Sequence, residues 1–170
     1  KLPPGYDAVY DPLFAPLRDK PIHLLEIGIL YGESLKLWRD YFPNGAIHGI
    51  DIEPPEVEIP DVAMWKGDQS DTAFLELVCA EAGPFDIIID DEAHVGRLTT
   101  ASFRCLSKHL APGGIYAVED LRAEVAPRFH DKQPFTRTGL QEVLFLAQGV
   151  RPTWKEIRVF KELMVFIRHE

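Results

Sequence analysis

The chain has 170 residues, 46% of them hydrophobic, and a formal charge of −9. One core over residues 1–170 is within its means, and the acidic balance argues against a nucleic-acid or anionic-membrane partner, which calls for clustered Lys and Arg. Its two cysteines, Cys79 and Cys105, are too few for a disulfide scaffold or a zinc site and fit a reduced, cytoplasmic protein.

Residues 23–29 read as a buried strand, and 33–41 as a helix ended by Pro43 and Gly45. A second strand over 46–52 stops at Pro54 and Pro55, and a short third strand covers 62–66. Residues 72–81 form a predicted helix with Asp71 as its N-cap. The fourth strand is 85–90, followed by a helix over 99–109. Pro112 and Gly113 turn the chain into a fifth strand over 114–119. Residues 121–135 have mixed composition and read as a long loop, 138–148 as a helix. Two last strands, 155–160 and 163–168, are joined by a tight Lys161-Glu162 turn. No apolar run reaches membrane-spanning length and no signal-peptide pattern stands out. The first residue is Lys1 rather than Met, as expected of a domain from a longer protein or a chain with missing ends.

Alternating βα units that end in a hairpin predict an α/β fold: a three-layer αβα sandwich, Rossmann-like, with a mostly parallel seven-stranded sheet and a C-terminal antiparallel hairpin. Ligands of such sheets bind beyond the carboxyl ends of the strands. The acidic motifs lie at those ends. The fourth strand runs into Asp90, Asp91, Glu92, Ala93 and His94, and the fifth ends in Glu119 and Asp120. Carboxylates gathered in one place repel one another and lose solvation, so they call for protons or a cation. Hard oxygen ligands suit magnesium or calcium. His94, three residues after Asp91, is placed to act as a base beside such an ion. Asp91-Glu92-Ala93-His94 also spells a helicase motif, but the G-x-x-x-x-G-K-[ST] phosphate loop that helicases need is missing from the sequence, so the match is chance.

The first strand leaves through Glu26-Ile27-Gly28-Ile29-Leu30-Tyr31-Gly32. The glycine spacing is G-x-x-x-G, not the G-x-G-x-x-G of a dinucleotide site. Gly28 lets a ligand approach the backbone, and Gly32 eases the turn into the helix. Glu26 would repel a pyrophosphate but suits a cationic amino-acid tail. Asp51 ends the second strand, where an acid can accept hydrogen bonds from a ribose diol. Gly67-Asp68-Gln69-Ser70 follows the third, where polar groups can meet an adenine edge. Their order favours one adenosyl ligand.

The stretches LLEIGILYGESLKLW, IHGIDIEP, GDQSD, FDIIIDDEAH and LAPGGIYAVEDL together resemble a class I S-adenosylmethionine-dependent methyltransferase, and within that superfamily the magnesium-dependent sugar O-methyltransferases of macrolide tailoring, the macrocin and mycinamicin type. The resemblance implies that Glu26 and Gly28 contact the methionine part of the cofactor, Asp51 the ribose and Asp68 the adenine, with Gln69 and Asp90 completing the cofactor set. It implies that Asp91, Glu119 and Asp120 hold Mg2+ and that His94 is the general base. The family has a small pair such as Gly-Ser between the acid and the histidine, where this chain carries Glu92 and Ala93. The expected reaction moves a methyl group from S-adenosylmethionine to a sugar hydroxyl of a glycosylated natural product or oligosaccharide, in a homo-oligomer. The acceptor is expected against the 121–135 loop, which carries Arg122, Arg128, Phe129, His130 and Phe135. Catechol-type enzymes share the fold and metal use but favour Asp-Asn where this chain has Glu119-Asp120. An NAD-dependent oxidoreductase is disfavoured by the glycine spacing, and a degenerate, non-catalytic cofactor binder by the intact acid–histidine set.

Overall fold

A computed structural model of the chain describes residues 5–91, 94–121, 133–149 and 153–170. In chain order the elements are α1 (Asp7–Phe14), a 3-10 turn (Ala15–Leu17), β1 (His23–Ile27), α2 (Glu33–Tyr41), β2 (Ala46–Asp51), β3 (Val62–Lys66), α3 (Thr72–Ala82) and β4 (Phe85–Asp90). Then come α4 (Gly96–Leu106), a 3-10 turn (Ser107–His109), β5 (Leu110–Val118), α5 (Phe135–Ala147), β6 (Trp154–Val159) and β7 (Met164–Arg168). Among the described residues the sheet has seven strands in the order β3-β2-β1-β4-β5-β7-β6. The first five run parallel, and β7 is antiparallel to both β5 and β6. This is the doubly wound sheet with a terminal hairpin that the pattern predicts. The order reverses between β1 and β4, which is where such folds place a ligand crevice.

Both faces of the sheet are covered, so the central strands are apolar throughout rather than alternating. Leu25, Ile27, Ile88, Tyr116, Val118 and Phe166 pack against α3, α4 and α5 through Leu75, Val78, Phe103, Leu106 and Phe135. Leu24, Ile47, Ile87, Ile89, Ala117 and Val165 point the other way, onto Tyr10 and Phe14 of α1 and Leu35 and Trp38 of α2. Asp71 caps α3 as its position suggested, accepting the amides of Ala73 and Phe74. No helix among the described residues is long and apolar enough to cross a membrane.

Three local expectations shift. Helix α1, with Pro12 inside it, is an element that the sequence pattern, first read from residue 23, did not assign. Pro112 and Gly113 lie inside β5, which begins at Leu110 rather than Gly114. Phe135 opens α5 and is fully buried against Phe103 and Phe166, so it belongs to the core and not to an acceptor loop. The other acceptor-loop candidates, Arg122, Arg128, Phe129 and His130, lie outside the described residues, as do Glu92 and Ala93.

Candidate active site at the carboxyl edge of the sheet

Register brings the strand ends into line. Asp51 pairs with Lys66, Ile27 with both Ile50 and Asp90, and Asp90 with Val118. Just past the ends the backbone keeps the alignment: Gly67 N–H donates to Asp51, Gly28 to Ile50, Asp91 to Ile27 and Glu119 to Asp90, all at 2.9–3.0 Å. Gly28, Asp51, Gly67, Asp91 and Glu119 therefore share one edge.

On the β1 side, the loop into α2 is wound in left-handed conformations, with φ of 93° at Gly28, 49° at Leu30 and 77° at Gly32. The glycines supply this geometry without a Cβ clash; Leu30 does not, and is held by its surroundings. Asp51 does the holding. Its Oδ2 accepts the amides of Ile29 at 2.8 Å and Leu30 at 3.1 Å, and its Oδ1 accepts that of Glu53 at 2.8 Å. Glu26 faces α2, only 3% exposed, where Ser34 Oγ donates at 2.8 Å and Trp38 Nε1 at 3.3 Å. Burial pushes its carboxyl up to about 7 against the opposing pull of those two donors.

Asp68 sits at the mouth of the edge and accepts from both the amide and the hydroxyl of Ser70, which holds its carboxyl below the usual range. Gln69 and Asp90, expected in the cofactor set, are bonded to each other at this edge. They are 1% and 2% exposed, and the Gln69 amide donates to Asp90 Oδ1 at 3.2 Å. Ser102 and Tyr116 hydroxyls donate to Asp90 Oδ2. The alternation along β4 explains this. Asp90 follows Ile88 onto the α3–α4 face, whereas Asp91 turns to the opposite one.

Asp91, His94 and Asp120 come together, each half-buried, with one potential ligand atom from each lying within 4.8 Å of the others. His94 Nε2 stands 3.8 Å from Asp120 Oδ2. His94 and Asp120 both have φ of 51°, a backbone conformation that a side chain disfavours. Strain at two members of one cluster is the kind that a fold retains at working sites. Glu119, expected as a third carboxylate ligand, is outside this cluster. It is 5% exposed, and its Oε1 accepts from the Tyr10 hydroxyl. Burial raises the Asp91 and Glu119 carboxyls above their usual range, and the Asp91 charge pushes Glu119 further. Glu26 and Asp120 reinforce both. A patch of acids that resist ionising together is stabilised by a cation. Two carboxylates and hard geometry fit magnesium better than a soft metal, leaving the imidazole suited to proton transfer.

The sequence reading missed Tyr6 and Tyr10. Their spacing with Phe14, at every fourth residue, was the available sign of a helix face.

No family model matches the chain. It is 37% identical over 128 residues to mycinamicin VI 2''-O-methyltransferase of Micromonospora griseorubida, covering 71% of this chain and 32% of that protein. It is 38% identical over 154 residues to 8-demethyl-8-alpha-L-rhamnosyl tetracenomycin-C 2'-O-methyltransferase of Streptomyces olivaceus, covering 85% and 41%. The structure of MycE methyltransferase in complex with Mg, SAH and mycinamycin VI superposes with a TM-score of 0.88 at 28% identity. This chain is related to the natural-product sugar O-methyltransferases. It spans about a third to two-fifths of the length of those two curated relatives, and the superposition covers 97% of it and 49% of the MycE chain.

Proposed function

We propose that this chain is a methyltransferase domain that moves a methyl group from S-adenosylmethionine to a hydroxyl of a sugar, in a glycosylated natural product or an oligosaccharide, with the help of Mg2+. The observation that carries the proposal is the Asp91–His94–Asp120 cluster on the same sheet edge as the Asp51-braced glycine loop. A cofactor held over β1 and β2 would lie beside an acceptor held at β4 and β5, the adjacency that an in-line transfer requires.

In this reading Gly28 admits the cofactor to the backbone, Asp51 binds the ribose and Asp68 the adenine, with the Glu26 carboxyl behind the cationic methionine part. Gln69 and Asp90, joined by the Gln69 amide, complete the cofactor set. Asp91 and Asp120 would hold the divalent ion, with Glu119, whose carboxyl feels the charge of both, as the third carboxylate once it swings from Tyr10; the ion would supply the positive charge that makes a sugar hydroxyl more acidic. His94 removes the hydroxyl proton as the oxygen attacks the methyl carbon; the carbon–sulfur bond breaks and leaves a neutral thioether. The two buried free thiols, Cys79 and Cys105, support a reducing, cytoplasmic setting. The net charge of −9 supports a small-molecule acceptor over nucleic acid or membrane. Exposed Leu140 and Leu144 on α5 support a homo-oligomer.

The test is transfer of isotopically labelled methyl from S-adenosylmethionine to a panel of macrolide and rhamnosylated acceptors, with and without excess EDTA. Methylated sugar that disappears with EDTA and returns with Mg2+ supports the reading. Full transfer in EDTA removes the metal from it, and no S-adenosylhomocysteine binding by calorimetry removes the cofactor.

A further inference from the structure

The geometry points to a role for α1 that neither the acidic motifs nor the glycine loop account for: we infer that Tyr6 and Tyr10 are positioning residues for the carboxylates that end β5. The inference rests on the metal site proposed above.

Tyr6 is the N-cap of α1 and Tyr10 stands one helical turn further on, with ring centroids 6.1 Å apart. Their hydroxyls reach two adjacent acids more than a hundred residues away in sequence. Tyr10 donates to Glu119 Oε1. Tyr6 lies 3.1 Å from Asp120 Oδ1 and accepts the Asp120 amide at 3.2 Å. A phenol has one proton and two lone pairs, so Tyr6 can accept that amide while its proton goes to the Asp120 carboxylate or to the Glu162 carbonyl, 3.2 Å away. It thus grips Asp120 by both backbone and side chain. Asp120 is where such a grip matters, because its φ of 51° is not a conformation that the residue chooses by itself.

The hydroxyls are presented from a rigid base. The Tyr10 ring stacks on Phe14 at 4.8 Å and meets Trp38 edge-on at 6.1 Å. Trp38 in turn donates to Glu26. For packing alone, phenylalanine would serve at both places. What tyrosine adds is a hydrogen-bonding group, and in each case it is aimed at a carboxylate of the proposed site. Partners that orient metal-ligating carboxylates are worth about 10- to 100-fold in metal affinity.

The experiment titrates Mn2+ into the whole chain, in the presence of S-adenosylhomocysteine, and reads free Mn2+ by electron paramagnetic resonance. Calorimetry of S-adenosylhomocysteine runs beside it. Tyr6→Phe and Tyr10→Phe keep the rings and delete the hydroxyls. Each is expected to weaken Mn2+ by about 10- to 100-fold while S-adenosylhomocysteine affinity stays at the wild-type value. Wild-type Mn2+ affinity in both folded variants overturns the inference. Parallel loss of both affinities overturns it too, because that is what a merely structural helix would give. Wild-type protein that takes up no Mn2+ overturns the metal reading itself, a failure visible before any substitution is made. If Tyr6→Phe does not fold, Tyr10→Phe decides the matter alone.

Discussion

The Asp51 carboxylate accepts the Ile29 amide at 2.8 Å, so the acid that ends β2 also closes the loop that leaves β1. The same oxygen takes the amide of Leu30, whose φ of 49° needs support. One side chain therefore has two duties at this edge, bracing the glycine loop and, in the proposed site, meeting the ribose. Asp51→Ala removes both. Binding of S-adenosylhomocysteine is expected to weaken by about 1–3 kcal/mol, read by calorimetry. Asp51→Asn keeps an oxygen for the amides and should recover part of the loss. Unchanged affinity in the alanine variant would move the cofactor away from β2.

Much of this edge was legible because strand ends announce themselves. An apolar run that stops at an acid, as 85–90 does at Asp90, marks both the end of a buried strand and the start of the chemistry. The N-cap at Asp71 was equally plain. What could not be read was direction. Asp90 and Asp91 are neighbours in sequence, yet strand alternation sends one into a closed network with Gln69, Ser102 and Tyr116 and the other to the edge. Glu119 and Asp120 likewise diverge, Glu119 toward Tyr10 and Asp120 toward His94. Long-range partners were hidden for a different reason. Nothing local to Tyr6 or Tyr10 says that β5 will end beneath them, and Pro12 inside α1 masked a helix whose stability comes from aromatic packing rather than propensity.

His94 supplies the second expectation. If it takes the acceptor proton, His94→Ala should lower kcat by about 10²–10⁴-fold and leave S-adenosylhomocysteine affinity intact. Because its φ is 51°, His94→Asn is the better control: asparagine tolerates that backbone but has no basic nitrogen. Both variants are expected to be slow. A near-wild-type rate in His94→Asn, measured by labelled methyl transfer across pH 6–9, would reduce His94 to a residue that shapes the turn.

The buried Glu26 predicts a pH dependence of the ligand-free protein. Its carboxyl is raised by burial to about 7 from its ordinary 4.5. Between those two values the folded chain holds a proton that the unfolded chain has released, so this group's stabilisation is complete below the lower value and is lost as pH rises through the higher one. The loss approaches about 1.4 kcal/mol per pH unit in that window. Glu26→Gln cannot ionise and escapes it. Urea denaturation at pH 5 and pH 8 should therefore show the variant gaining on the wild type as pH rises. An offset that is the same at both pH values would mean that the carboxyl ionises in the fold as readily as in water.

The last expectation concerns how α4 is seated. Gly96 begins that helix two residues after His94 and is buried. A Cβ at this position would lie 2.2 Å from the Gln133 carbonyl oxygen, 2.4 Å from the Phe135 nitrogen and 2.5 Å from the Pro134 Cα. All three are backbone atoms, so no rotamer change can make room. The start of α4 and the 133–135 segment must part. Overpacking of this kind costs about 1–3 kcal/mol, and here it also tugs on the turn that sets His94. Gly96→Ala is expected to lose that much stability by urea denaturation. It should also weaken Mn2+ uptake more than S-adenosylhomocysteine binding, because the metal cluster is the nearer neighbour. Full stability and full Mn2+ affinity in Gly96→Ala would show that the 133–135 segment yields freely and that His94 does not depend on where α4 begins.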